Sequence, residues 1–488
     1  MTARSGLLSL ALSPGAGEGT GSGGRRSARA YLPDLLLAGG EVHAGAALTV
    51  EDGRVVAVGA PGPGAQSVRL PGMALLPGLV SAHGHAFQRA IRGRTQRRVA
   101  GGSTFWSWRE EMYRAALRIG PDDLYAIARL AFLELARGGV TASGEFHYLH
   151  HDPEGRPYAD PDELARRVLA AARDTGLRVA LLRTSYARAG LGRPVEAAQR
   201  RFVEPSPDDA VLAVDRLAAA HRDDALVSFG LAPHSVRACP AEWVTVLARE
   251  AERRELPLHV HVAEQRREVE ECLAEHGVTP VALLARSGAL GPRTTAVHAI
   301  HVDEADVAAL GGAGVIVCAC PTTERDLGDG VVPADRLLGA GARLALGADA
   351  YVEAHLLAEA RALEGHLRLA REERAVLSGE GGGEDDLARR LYAFASAGGM
   401  ASLGVGGGTL APGEPADFLT VALDDPSLAG ASRDDLASHV VFSMARTAVR
   451  DVFVAGEPVV REGRWARGDE AAVVAAAKAA LTRLARGA

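Results

Sequence analysis

Between about Met73 and Val405 the chain alternates short β-rich runs with longer amphipathic ones, and this alternation limits the fold more than any other feature. The strand candidates are 79–83, 140–146, 178–184, 227–233, 257–262, 294–299, 315–320 and 343–349. The gaps carry a helical period. Over 122–137 the apolar positions are Leu124, Ile127, Leu130, Ala131 and Leu135, and 163–173 and 266–276 behave in the same way. Eight strands alternating with helices predict an α/β protein built on a (β/α)8 barrel of TIM type. In that architecture reactive side chains sit at the C-terminal ends of the strands.

The strand ends carry such groups. Strand one ends His83-Gly84-His85. On an extended backbone residues i and i+2 point the same way, so the two imidazoles project together from a buried strand. Imidazole suits zinc, iron, nickel or copper. Strand four ends on His234, strand five carries His259 and His261 and runs on to Glu264, strand six ends on His298 with His301 beyond, and strand eight ends on Asp349. Histidines at four strand ends with an aspartate on strand eight point to a catalytic metal site.

Both chain ends read as short strands. Runs at 35–37, 47–50 and 54–58 include a hairpin signal at Asp52-Gly53, and 416–421, 449–454 and 459–461 mirror them near the other end, with a turn at Gly456-Glu457. The expected domains are a disordered N-terminal tail at 1–30, a small β-sandwich built from 31–75 and 406–488, the latter with a C-terminal helix, and the catalytic barrel at 76–405. The Gly406-Gly407-Gly408 run lacks a following Lys-Ser/Thr and reads as a turn, not a phosphate loop. Residues 378–386 read as a surface insertion between helices.

A net charge of -7 and a pI near 6.2 give no argument for nucleic acid or membrane as partner, and no apolar run reaches membrane-spanning length. Cys239, Cys272, Cys318 and Cys320 form no CxxC pair and read as small core residues, which suits a cytoplasmic location. Lys478 is the only lysine.

The strand-end pattern resembles the amidohydrolase superfamily, over nearly the whole chain beyond the N-terminal tail. The resemblance implies a barrel with a β-sandwich from both chain ends. Members with two metals commonly bridge them with a carboxylated lysine on strand four; with Lys478 far outside the barrel that bridge cannot form, and a glutamate bridge, for example Glu145, is the other possibility. One Zn²⁺ per subunit is expected on His83, His85, His261 and Asp349. His261-Val262-Ala263-Glu264 resembles the deaminase branch. It implies Asp349 as acceptor of the water proton, His298 as the group that orients the nucleophile, and Glu264 as proton donor to the departing nitrogen.

Longer stretches are similar to the formimidoylglutamate deiminase family: 83–90, 105–109, 145–151, 232–237 and 320–330. The match implies hydrolysis of N-formimino-L-glutamate, a small dicarboxylate, to N-formyl-L-glutamate and ammonia. It suggests Gln88, Arg109, Tyr148, His234 and Arg237 as substrate contacts, with Arg237 better placed than Arg109, which stands beside two tryptophans. His147, His150, His151 and His301 are expected to be structural. A homodimer is expected through the resemblance alone. One departure is at strand eight: the family has serines on both sides of the aspartate, where this chain has Ala348 and Ala350; the ligand set survives, so the activity is still expected, with altered efficiency or a shifted substrate as the alternative. The rival readings are a superfamily deaminase acting on a purine, pterin or triazine ring, and an inactive barrel kept as a scaffold.

Overall fold

The computed structural model describes residues 27–97 and 104–486. Most of the tail expected at 1–30 lies outside the described residues, and a strand is already under way at Arg29.

Eight parallel strands form the barrel: Leu79–Ser81, Val140–His147, Arg178–Ser185, Val227–Pro233, Leu258–Val262, Thr294–His298, Ile316–Ala319 and Arg343–Leu346. Each pairs with its neighbour in sequence order. The ring closes between the first and last strands, where Ala82 N donates to Leu346 O (2.8 Å) and Asp349 N to His83 O (3.0 Å). All eight positions of Val140–His147 and of Arg178–Ser185 are buried, as expected where one face fills the barrel and the other meets helices. Ala82, Val297, Ile316, Cys318, Cys320 and Ala345 form an apolar cluster of their own among these strands. All four cysteines are buried and free.

The helices follow the apolar period read from the sequence. Glu163–Thr175 buries Leu164, Ala165, Val168, Leu169, Ala171 and Ala172, one stripe at helical spacing. It stops at Gly176, whose φ of 93° is left-handed and whose N–H returns to Ala172 O at 2.8 Å. The expected insertion falls between helices Leu356–Arg371 and Asp386–Phe394. No helix among the described residues is long and apolar enough to cross a membrane.

The two chain ends meet in one nine-stranded mixed sheet. Strand Gln66–Pro77 joins them, pairing in parallel with Arg29–Ala38 and antiparallel with Phe418–Ala422. Both expected hairpins are present, and their turn residues have positive φ: Asp52 and Gly53 at 47° and 75°, Ala455 and Gly456 at 49° and 71°. That geometry matches the right-handed twist of paired strands. Tyr31, Phe418 and Phe453 pack ring against ring in the core of this sheet. The C-terminal helix Glu470–Arg486 lies along Pro121–Arg137, tied by Arg483 to Asp123.

A bidentate ion pair fastens the small sheet to the barrel. Arg178, at the start of the third barrel strand, donates from Nε to Asp417 Oδ2 (2.9 Å) and from Nη2 to Oδ1 (3.3 Å). Asp417 Oδ1 also accepts from Ala455 N at 2.6 Å. Both side chains are buried, so losing one partner leaves a desolvated charge behind. Asp417→Ala should therefore destabilise the protein by about 3–5 kcal/mol, read as a fall in the urea midpoint. A midpoint unchanged from the parent would show that this pair does not hold the two parts together.

Candidate active site

Four side chains converge at the C-terminal mouth of the barrel. His83 and His85 leave the first strand on the same side, and their Nε2 atoms lie 3.2 Å apart. His261 Nε2 is 3.1 Å from His83 Nε2. Asp349 Oδ1 lies 3.5 Å from His83 Nε2 and 3.3 Å from His85 Nε2. Gly347 allows this approach, since a Cβ there would sit 2.9 Å from His83 O. All four residues are buried.

The tautomers follow from the acceptors behind the rings. His85 Nδ1 faces Phe146 O at 3.0 Å and His261 Nδ1 faces His234 O at 3.0 Å. A carbonyl oxygen only accepts, so each Nδ1 carries the proton and each Nε2 turns a lone pair inward. Burial pushes His83 down to about 3, and it lowers His261 well below the usual range, helped by the neighbouring imidazoles. Burial would raise Asp349, but the His83 and His85 rings beside it and the charge of His298 hold it well below the ordinary carboxylate range. Neutral imidazoles and a carboxylate, with ligand atoms all within 4.8 Å, fit a divalent cation. Left alone, the inward lone pairs would repel.

The expected glutamate alternative faces elsewhere. Both carboxylate oxygens of Glu145 lie 3.1 Å from Ala86 N, and Glu145 is not part of the ligand cluster. Burial raises it to about 8, partly offset by that bond. Lys478 is on the exposed side of the C-terminal helix.

A second ring of charge surrounds the cluster. His298 donates from Nδ1 toward Glu324 Oε1 (3.2 Å), and its Nε2 is 3.8 Å from both Glu264 Oε1 and Asp349 Oδ2. Burial would lower His298, but Glu264, Glu324 and Asp349 outweigh it and bring it to about 10. Glu264 Oε2 accepts from Arg237 Nη2 at 2.7 Å, and Glu268 lies 3.4 Å from Arg237 Nε. Glu268 also takes the N–H groups of Ala263 (3.3 Å) and Glu264 (3.2 Å). Ala263, His298, Ala299, Asp349 and Tyr351 have φ of 51°, 73°, 51°, 43° and 55°. Strained non-glycine backbone thus gathers at the strand ends that aim these groups.

The cavity over the cluster is lined by all five expected substrate contacts: Gln88, Arg109, Tyr148, His234 and Arg237. Gln88 Nε2 donates to Tyr148 Oη at 2.8 Å, while Gln88 Oε1 is buried without a partner. Arg109 stands on helix Phe105–Ala116, its guanidinium 4.5 Å from the Trp106 ring and 5.4 Å from the Tyr113 ring. Among the described residues no carboxylate pairs with it. Arg237, expected to be the better carboxylate reader, is instead engaged with Glu264 and Glu268. His234 rings lie 4.9 Å from His261 on one side and 4.9 Å from Tyr186 on the other. His150 and His151 bond backbone carbonyls of Thr184 and Val203, away from the cluster.

Hydroxyls beside Asp349 come from another strand and from the helix Pro321–Leu327. Ser81 Oγ accepts from Ala348 N at 3.0 Å and Thr323 Oγ1 from Ala350 N at 3.3 Å. The sequence reading missed Glu268 and Glu324, which orient Glu264 and His298. Glu268 stands four residues after Glu264 on a helix, and that spacing was the available signal.

Comparison with known proteins agrees with this geometry. Residues 74–459 match the Amidohydrolase family. A formimidoylglutamate deiminase of Pseudomonas aeruginosa is 42% identical over 406 residues, covering 82% of this chain and 87% of that protein. A 5-methylthioadenosine/S-adenosylhomocysteine deaminase of Desulforudis audaxviator is 28% identical, covering 90% and 94%. Among solved structures, an amidohydrolase from Brucella melitensis superposes with a TM-score of 0.86 at 30% identity, covering 93% of this chain and 99% of that one. An adenosine deaminase from Xanthomonas campestris with bound zinc shares the fold, with a TM-score of 0.79 at 24% identity over 94% and 98%. The likeness to deaminases and a deiminase makes the chain a metal-dependent hydrolase of C–N bonds. It belongs to the amidohydrolase family.

Proposed function

We propose that the chain hydrolyses N-formimino-L-glutamate to N-formyl-L-glutamate and ammonia, with one zinc ion per subunit held by His83, His85, His261 and Asp349. The observation that carries this reading is a pair of groups in the cavity over the cluster with no hydrogen-bond or ion-pair partner among the described residues: the buried acceptor Gln88 Oε1 and the guanidinium of Arg109, held over the Trp106 ring. A formimino group brings N–H donors and a glutamate brings carboxylates, so each group meets its complement. The 42% identical relative named formimidoylglutamate deiminase supports the choice of substrate.

Hydrolysis adds the oxygen of water to the formimino carbon and breaks its bond to the terminal nitrogen, which leaves as ammonia. A zinc ion, when bound, lowers the pKa of water to near neutral and polarises the reacting carbon. Asp349 takes the proton of the attacking water. His298, charged between three carboxylates, orients that water through Nε2. Both protons of that water end on the departing nitrogen: Glu264 takes up one and hands it on, Asp349 returns the other, and Arg237 with Glu268 holds Glu264 in place. Gln88 and Tyr148 take the formimino end, His234 lies beside it, and Arg109 with the remaining N–H groups of Arg237 takes carboxylate. The reading includes a homodimer in the cytoplasm, which suits four unpaired cysteines, and the domain limits read from the sequence.

Incubating the zinc-loaded protein with N-formimino-L-glutamate should yield N-formyl-L-glutamate and ammonia in equal amounts. Formamide with glutamate, or no turnover with metal bound, would contradict the proposal. Glu264→Gln should lower kcat by about 10²- to 10⁴-fold while zinc content by elemental analysis stays at the parent level. Chelation should abolish turnover and lower the thermal midpoint, and zinc should restore both. A midpoint indifferent to chelation would remove the metal from this account.

A further inference from the structure

The loop that leaves the first barrel strand is gripped by the second. Phe146 N donates to Gly84 O at 2.8 Å, and Phe146 O takes the Nδ1 proton of His85 at 3.0 Å. Ala86 N donates to the side chain of Glu145, both oxygens of which lie at 3.1 Å. Two successive residues of one strand thus hold three successive residues of the loop beside it. From the other side Asp349 O takes the N–H of His85 at 3.0 Å. The Tyr351 ring covers Gly84, where a Cβ would lie 3.2 Å from Tyr351 Cε2.

In this grip the bonds of Phe146 and Asp349 use backbone atoms, which strand pairing places. The bond from Glu145 uses a side chain, and the reason is local. The chain enters a tight turn at Ala86–Ala90. The residue at the head of such a turn ordinarily offers a side-chain oxygen to the free N–H groups. Here that residue is His85, whose side chain makes no such bond because its ring faces the cluster. Ala86 is fully buried, so its N–H needs a partner from within the protein. Glu145, 59 residues further along the chain, is that partner.

Glu145 is an expensive choice if it only fills space. It is buried, no cationic side chain among the described residues pairs with it, and it is not part of the ligand cluster. An apolar side chain of similar size would occupy the same volume without the cost of desolvating a carboxyl group. What an apolar residue cannot do is accept from Ala86 N.

We propose that Glu145 is a positioning residue of the metal site: by holding Ala86 N it fixes the loop that aims His85 beside His83, and so sets the affinity for the metal. This rests on the metal site argued above. Glu145 touches neither the metal nor the substrate; it acts through the backbone next to a ligand.

The test uses the full chain and two readouts other than turnover. Zinc affinity is measured by competition with a chelator, and hydrogen exchange over residues 84–90 is followed in the chelated protein. Glu145→Leu should speed exchange over 84–90 and weaken zinc by about 10- to 100-fold, the usual loss when an outer partner of a metal ligand is removed. Glu145→Gln keeps the length and an oxygen for Ala86 N, and should return both readouts to the parent values. Should the leucine variant fail to fold, Glu145→Asp, one methylene short of Ala86 N, replaces it in the comparison with the same expected losses. Parent zinc affinity in Glu145→Leu would overturn the proposal. So would a glutamine variant as weak as the leucine one, since the negative charge and not the bond to Ala86 would then be what the metal needs. The two readouts also separate this proposal from the metal reading beneath it. A parent that takes up no zinc, with exchange over 84–90 still faster in Glu145→Leu, refutes the metal and keeps the clamp on the loop. Zinc bound equally by parent and variants, with exchange unchanged, keeps the metal and refutes the clamp.

Discussion

Three imidazole Nε2 atoms crowded beside one carboxylate, two of them with an inward lone pair, are the constraint on which the site depends. The arrangement is set from behind. Phe146 O and His234 O hold protons on Nδ1 of His85 and His261, which leaves the Nε2 lone pair of each facing the centre. These carbonyls belong to the second and fourth barrel strand ends, so the tautomers are a consequence of closing the barrel. Ring closure also brings Asp349 beside His83, where Gly347 leaves room for the approach.

The outer charges follow from that centre. His298 sits between Glu264, Glu324 and Asp349, and its charge is balanced on every side. Glu264 is in turn held by Arg237, with Glu268 gripping the turn that starts its helix. Buried ions of this kind are tolerated only when paired and hydrogen-bonded. A cost in backbone strain accompanies them, in left-handed Ala263, His298, Ala299, Asp349 and Tyr351. The result is a densely paired chemical end and, beyond His234, a cavity wall of aromatic rings, phenols and the Arg109 guanidinium, which pairs with no carboxylate among the described residues.

Much of this was legible in the residues. Strand period and helix period are local, so all eight barrel strands and both hairpins could be read. His83, His85, His261, His298 and Asp349 could be read because a barrel places strand ends together without further knowledge of side chains. Pairing between loops could not. Arg237 and Glu264 are 27 residues apart, and nothing in the sequence says that the arginine turns to the glutamate and that Arg109, among the described residues, has no carboxylate beside it. Nor does the sequence show that the loop at Gln199 folds back behind Tyr186. Ala348 and Ala350 suggest a missing hydroxyl shell, yet Ser81, on the first strand, and Thr323, on the helix after the seventh, supply hydroxyls to the same backbone.

The central claim is most directly tested by anomalous diffraction at the zinc edge from crystals of the metal-loaded protein. A single ion should appear about 2.0–2.2 Å from Nε2 of His83, His85 and His261 and from an oxygen of Asp349, with the Nδ1 bonds to Phe146 O and His234 O retained. Two ions bridged by Glu145, or one ion held through Nδ1, would contradict it.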